Sequence, residues 1–183
     1  MTRPFALCAL LLALAACRED VAHDLPQPVS LTEEAVGHFC QMELLEHPGP
    51  KAQVHLAGLP QPLFFSQVRD AIAYQRMPEQ SHAIDVIYVN DMAKAPSWAA
   101  PGIDNWIRAD EAVYVVGSDA VGGMAAPELV PFADQVAAAA LAAERGWTVL
   151  PLDAIEDSLV LAPVEFADDI GLKPGPVPTV AAR

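Results

Sequence analysis

Phe64-Phe65-Ser66-Gln67-Val68 and Phe132-Ala133-Asp134-Gln135-Val136 stand 68 positions apart and read alike. Each leads from an aromatic residue to an oxygen-bearing side chain that can cap a helix, Ser66 or Asp134, and then into a helical stretch. The first helix is expected to run to about Arg76 and to stop before Pro78; the second passes through an alanine-rich stretch to about Arg145 and ends at Gly146. A strand signal follows each helix, at Ile84–Asn90 and at Trp147–Leu150. Extended segments also precede each: Ala52–Leu56 and Leu63–Phe65 in the first half, Ala112–Val116 and a shorter piece after Gly123 in the second. The chain therefore reads as α+β, a duplicated strand–strand–helix–strand unit, arranged as two small packed lobes or one pseudo-symmetric domain.

Working outward, the expected boundaries are a first unit at 36–100 and a second at 101–160. Pro163, Pro174, Pro176 and Pro178 mark 161–183 as a Pro-rich tail, expected to be extended or disordered. At the other end, Met1-Thr2-Arg3 is a short positive start before an apolar run from Pro4 to Leu14, the pattern of a secretory signal over 1–16. Leu14-Ala15-Ala16-Cys17 resembles a bacterial lipobox, with Cys17 acylated as the first mature residue. Several acyl chains on one cysteine hold a protein at a membrane. Polar residues 17–35, with Pro26 and Pro28, then read as a membrane tether. The expected location is the periplasm, lipid-anchored to a bacterial membrane, with the outer membrane as the expected one.

Composition narrows the function classes. Of 183 residues, 53% are hydrophobic, enough to build a core. Asp and Glu number 24 against 10 Lys and Arg, a formal charge of −14. Such a surface repels phosphate backbones, which argues against nucleic-acid binding. There is no Gly-rich phosphate loop, no nucleophile elbow and no His-Glu-x-x-His, and Asp85, Asp91, Asp104 and Asp110 are scattered as solvated surface would be.

With Cys8 in the leader and Cys17 lipidated, Cys40 is left as a lone thiol in an oxidising compartment, where no partner within the chain can pair with it. It stands in His38-Phe39-Cys40-Gln41-Met42. In an extended backbone, alternation would project His38, Cys40 and Met42 from one face. Thiolate and thioether are soft donors that favour Cu(I) over Mg, Ca or Mn, and zinc rarely takes a methionine. A core-facing Cys-x-Met pair is the alternative. Met124, after Gly122-Gly123, offers a further sulfur in a permissive loop. For Met77 and Met92 packing is the expected role, His47 lies in a Pro/Gly turn, and His55 and His82 carry no metal signal.

Gly37-His38-Phe39-Cys40-Gln41-Met42 and Glu46-His47-Pro48-Gly49-Pro50-Lys51-Ala52-Gln53 together resemble the signature of the NosL family, accessory lipoproteins of nitrous oxide reductase assembly. Tyr88-Val89-Asn90-Asp91, Trp106, Tyr114-Val115-Val116-Gly117-Ser118, Gly122-Gly123-Met124 and Pro131-Phe132 follow in the family's order, so the resemblance spans roughly 36–150. It implies a periplasm-facing metallochaperone, not an enzyme, that carries Cu(I) to the reductase's copper centres beside a membrane transporter complex. It further implies Cys40 and Met42 as ligands and Met124 as the third, with His38 as a substitute. The family often has glycine after this methionine, where Ala125 stands here. Two other readings remain open: a metal-free scaffold lipoprotein of the maturation complex, and a thiol enzyme using Cys40.

Overall fold

The computed structural model describes residues 24–164. The leader 1–16, the lipidation site Cys17 and nearly all of the Pro-rich tail lie outside the described residues. The first unit holds β1 (Ala52–Leu56), β2 (Leu63–Phe65), α1 (Val68–Arg76), β3 (Ile84–Asn90) and β4 (Trp106–Arg108). The second holds β5 (Val113–Val116), β6 (Val130–Phe132), α2 (Gln135–Arg145), β7 (Thr148–Pro151) and a short α3 (Asp157–Leu161). The sheets run β2-β1-β3-β4 and β6-β5-β7, antiparallel throughout. β1, β2, β3 and β5, β6, β7 thus share one arrangement, each first strand lying between its two partners.

The repeat is offset by one residue from the sequence match. Phe65 pairs with Ala52, the first residue of β1, and Phe132 pairs with Val113, the first residue of β5. Phe65 and Phe132 are therefore equivalent, 67 positions apart rather than 68. The same offset makes Gln67, not Ser66, the N-cap of α1 and the counterpart of Asp134. Asp134 caps α2 as expected, its Oδ1 accepting from the Val136 N–H at 2.8 Å, and Gly146 closes that helix at φ 74°. Gln67 makes no such bond to its own helix.

Packing explains which residues became elements. Along β1, Ala52, Val54 and Leu56 alternate onto the core, while Val68, Ala71 and Ile72 form the buried stripe of α1. Tyr114, Val116, Leu129 and Ile155 of the second unit join that same cluster, so the two repeats share one core. A fully buried Val, Leu or Ile contributes about 1.5–3 kcal/mol. A smaller cluster, with Val115, Val130, Phe132 and Ala138, lies between the second sheet and α2. Arg69 and Arg76 of α1 hold α3 through the Leu159 and Ala162 carbonyls and Asp157.

Residues 24–35 depart from the tether reading. Gln53 and Val29 exchange two hydrogen bonds, Tyr88 donates to the Pro26 carbonyl at 2.9 Å, and Leu31 is buried. This segment covers the polar face of β1 and β3, where Gln53 and His55 would otherwise meet solvent. Its prolines set an extended course along the sheet rather than freedom from it. Asp91 departs too: it is buried, accepts from the Ala93 and Ala133 N–H groups and pairs with Lys94, tying the end of β3 to the second unit.

Candidate metal centre

Residues 37–42 form a closed turn, not an extended ribbon. Val36 and Glu43 bridge antiparallel at its base, the Gly37 N–H donates to the Met42 carbonyl at 2.9 Å, and the Gln41 N–H donates to the Gly37 carbonyl at 2.8 Å. Gln41 takes φ 57°, a left-handed conformation, and its side-chain amide donates to the His38 carbonyl at 2.7 Å. The expected alternation of His38, Cys40 and Met42 on one face is therefore overturned. Aromatic packing accounts for the turn. The rings of His38 and Phe39 lie against Phe65 and Tyr74, and the His38 N–H donates to the Phe64 carbonyl at 2.6 Å, docking the turn on the edge of β2. His38 is thus engaged by rings.

The two sulfurs of this turn remain available. Cys40 is half-buried and reduced, and Met42 is 40% exposed. The Cys40 sulfur rests against the α-carbon of Gly37, in the space a Cβ would need, so only glycine at 37 admits it there.

Met124 arrives from the β5–β6 connection, longer than its counterpart between β1 and β2. Ser66 sits between the two sulfur-bearing loops. A Cβ on Gly37 would stand 3.8 Å from the Ser66 nitrogen, and one on Gly123 would stand 2.9 Å from the Ser66 oxygen and 2.8 Å from the His47 Cβ. The His47-Pro48-Gly49-Pro50 turn completes the junction, with Gly49 facing Trp98 and the Gly122 backbone. Met124 is half-buried, and Ala125 beyond it takes φ 62°. A left-handed non-glycine residue therefore adjoins the sulfur residues in both loops.

The loops are held from below by residues that the sequence did not single out. Lys51 is 1% exposed and donates to the carbonyls of Pro48, Gly49 and Ser66 at 3.0, 2.6 and 3.4 Å. Burial pushes its ammonium down to about 8, and the charges of Glu128 and Cys40 pull it part of the way back. Glu128, fully buried, accepts from the Val68 and Arg69 N–H groups at 3.3 and 3.0 Å, so the first unit's helix is capped by the second unit. Burial raises its carboxyl to about 8 against those hydrogen bonds. Gln67 is buried and accepts from the Met124 and Ala126 N–H groups at 2.8 and 3.3 Å. The sequence signal for this packing is indirect: Gly37, Gly122 and Gly123 each face a neighbour that leaves no room for a side chain.

The other sulfur and imidazole residues fall away from this place. Met92 packs on the second core cluster, as expected, whereas Met77 is 37% exposed at the end of α1. His55 is buried against Gln53, and His82 is exposed beside Ser81. Among the described residues, no three His, Cys, Asp or Glu side chains gather where they could hold a metal.

Two antiparallel α+β units that share one core, with a cysteine-bearing turn and a methionine-bearing loop on either side of Ser66, define the structural class. The chain belongs to the NosL family, whose profile matches residues 28–160. It is 59% identical over 167 residues to the copper-binding lipoprotein NosL of Achromobacter cycloclastes, covering 90% of this chain and 86% of that protein. To the copper-binding lipoprotein NosL of Stutzerimonas stutzeri it is 33% identical over 159 residues, covering 84% and 80%. The crystal structure of the copper chaperone NosL from Shewanella denitrificans matches with a TM-score of 0.65 at 29% identity, over 70% of this chain and 95% of that one.

Proposed function

We propose that this protein is a lipid-anchored metallochaperone that binds Cu(I) through Cys40, Met42 and Met124 and passes it to nitrous oxide reductase beside the membrane transporter of the maturation machinery. The observation that carries the reading is the pairing of a half-exposed thiol and an exposed thioether on one turn, with a methionine-bearing loop seated on the same Ser66 support. Sulfur donors of this kind select a soft monovalent ion. The relatives' descriptions as copper-binding lipoproteins and as a copper chaperone support a carrier rather than an enzyme.

Capture forms a copper–thiolate bond and releases the Cys40 proton to solvent, so affinity falls as pH drops. Release follows by ligand exchange: a donor of the acceptor enters at the exposed Met42 side before the Cys40 bond breaks. Copper stays monovalent throughout, and no redox step is needed. Around the turn, Val36, Phe39 and Leu45 are exposed and apolar, and Glu33, Glu34, Glu43 and Glu46 are exposed and acidic. That face suits an acceptor with a basic rim, whose encounter is accelerated at low salt. Cys17 supplies the anchor.

The test is a Cu(I) titration of the full chain in detergent against a competing chelator. Cys40→Ser is expected to weaken binding by at least about a hundredfold, since it removes the one anionic sulfur donor. A Cys40→Ser chain as tight as the parent would overturn this reading of the site.

A further inference from the structure

We propose that Gln67 is the positioning residue that fixes Met124 at the copper site, through an exchange of hydrogen bonds between the two units. The inference rests on the reading of Met124 as a ligand. Gln67 is 1% exposed and lies at the N-cap of α1, yet its side chain makes no capping bond to the backbone of that helix. Its carbonyl oxygen accepts from the N–H groups on both sides of the left-handed Ala125, from Met124 at 2.8 Å and from Ala126 at 3.3 Å. Its amide donates to Asp70 at 3.2 Å, which fixes which end of the side chain faces the loop. The α1 N–H groups that an N-cap would serve donate instead to Glu128, which lies on the same β5–β6 connection as Met124.

Each unit thus supplies a side-chain acceptor to backbone N–H groups of the other: Glu128 to the start of α1, Gln67 to the Met124 loop. Gly122 shows how closely the two are joined: a Cβ there would stand 2.7 Å from the Gln67 oxygen and would also collide with a Glu128 oxygen. Cys40 is placed by its own turn, on the other flank of Ser66. The Met124 backbone is held by the Gln67 side chain, so the place of its sulfur relative to Cys40 follows from the Ser66–Gln67 corner. Residues that orient metal ligands typically change affinity by 10–100-fold when removed.

The experiment is a double-mutant cycle on the full chain in detergent, reading Cu(I) affinity by chelator competition and sulfur neighbours by X-ray absorption. Gln67→Leu keeps the bulk and removes the acceptor. It is expected to weaken Cu(I) by about as much as Met124→Leu, roughly tenfold or more, and to lower the sulfur count equally. The double variant should be no weaker than either single one. Gly122→Ala, which breaks the same contact from the loop side, should reproduce the result and serves if Gln67→Leu does not fold. A Gln67→Leu chain with the parent's affinity and sulfur count overturns the inference and leaves Met124 a ligand; so does full additivity with Met124→Leu. If Met124→Leu itself changes neither readout, the assignment of Met124 as a ligand fails, and this inference fails with it.

Discussion

The Cys40 sulfur and the Gly37 α-carbon are in contact, the thiol filling the place where any other residue at 37 would carry its side chain. Gly37 also anchors the turn, donating to Met42 and accepting from Gln41. Gly37→Ala should therefore expel the thiol without removing a donor atom. We expect Cu(I) affinity to fall roughly 10–100-fold, with the chain still folded, as judged by chelator competition beside circular dichroism.

Ala125 and Gln41 share a left-handed backbone but should respond differently to glycine. At Ala125, φ is 62° and the exposed methyl makes no hydrogen bond, so Ala125→Gly should stabilise by about 0.5–1 kcal/mol and raise Tm by a few degrees. At Gln41 the same relief is offset by the loss of its amide bonds to the His38 and Gly37 carbonyls. Gln41→Gly should leave Tm flat or lower it and loosen the turn, seen as faster hydrogen exchange at Gly37 and Gln41.

Glu128 sets a pH dependence of stability. Its folded carboxyl stands at about 8 because of burial, against the ordinary value of 4.5. Between these values the folded chain holds a proton that the unfolded chain has lost, so stability falls as pH rises from 4.5 towards 8. The limiting slope is about 1.4 kcal/mol per pH unit. Glu128→Gln should flatten this part of the profile in urea unfolding between pH 5 and about 8. Lys51 acts in the opposite sense above that range. Its folded ammonium, lowered to about 8 from 10.5, makes stability rise with pH between those values.

No Lys or Arg lies between Arg18 and Lys51, and Lys51 is buried, so the face around the thiol turn is anionic. If the reductase is the acceptor, as proposed, replacing Glu43 and Glu46 together by lysine should leave Cu(I) affinity near the parent's while slowing transfer to it roughly tenfold at low salt. The difference should shrink as salt is raised, which stopped-flow transfer measurements at two ionic strengths would show.

What can be read from the chain is what is local to it. Asp134 and Gly146 bracket α2 because both caps act within a few residues of the helix, and Ile84–Asn90 announces a strand by its β-branched run. β4 carries no such signal because three residues hold no periodicity, and α3 carries none because one and a half turns gain their stability from Arg69 and Arg76 of another helix. Ser66 reads as the cap of α1 because its true cap, Glu128, stands 60 residues away. The proposed donors Cys40, Met42 and Met124 can be named from the sequence, but the geometry around them cannot. Gln41 carries no turn signal, and its left-handed backbone is stabilised by ring packing and by hydrogen bonds that no spacing reveals.

The packing of Pro26, Val29 and Leu31 against the first sheet shortens the leash of the whole molecule. With Cys17 bearing the lipid, as proposed, only the stretch between it and Pro26 separates bilayer from body, a span of about 30 Å at full extension. On the proposed reading, the acceptor must come within that reach of the membrane to be served.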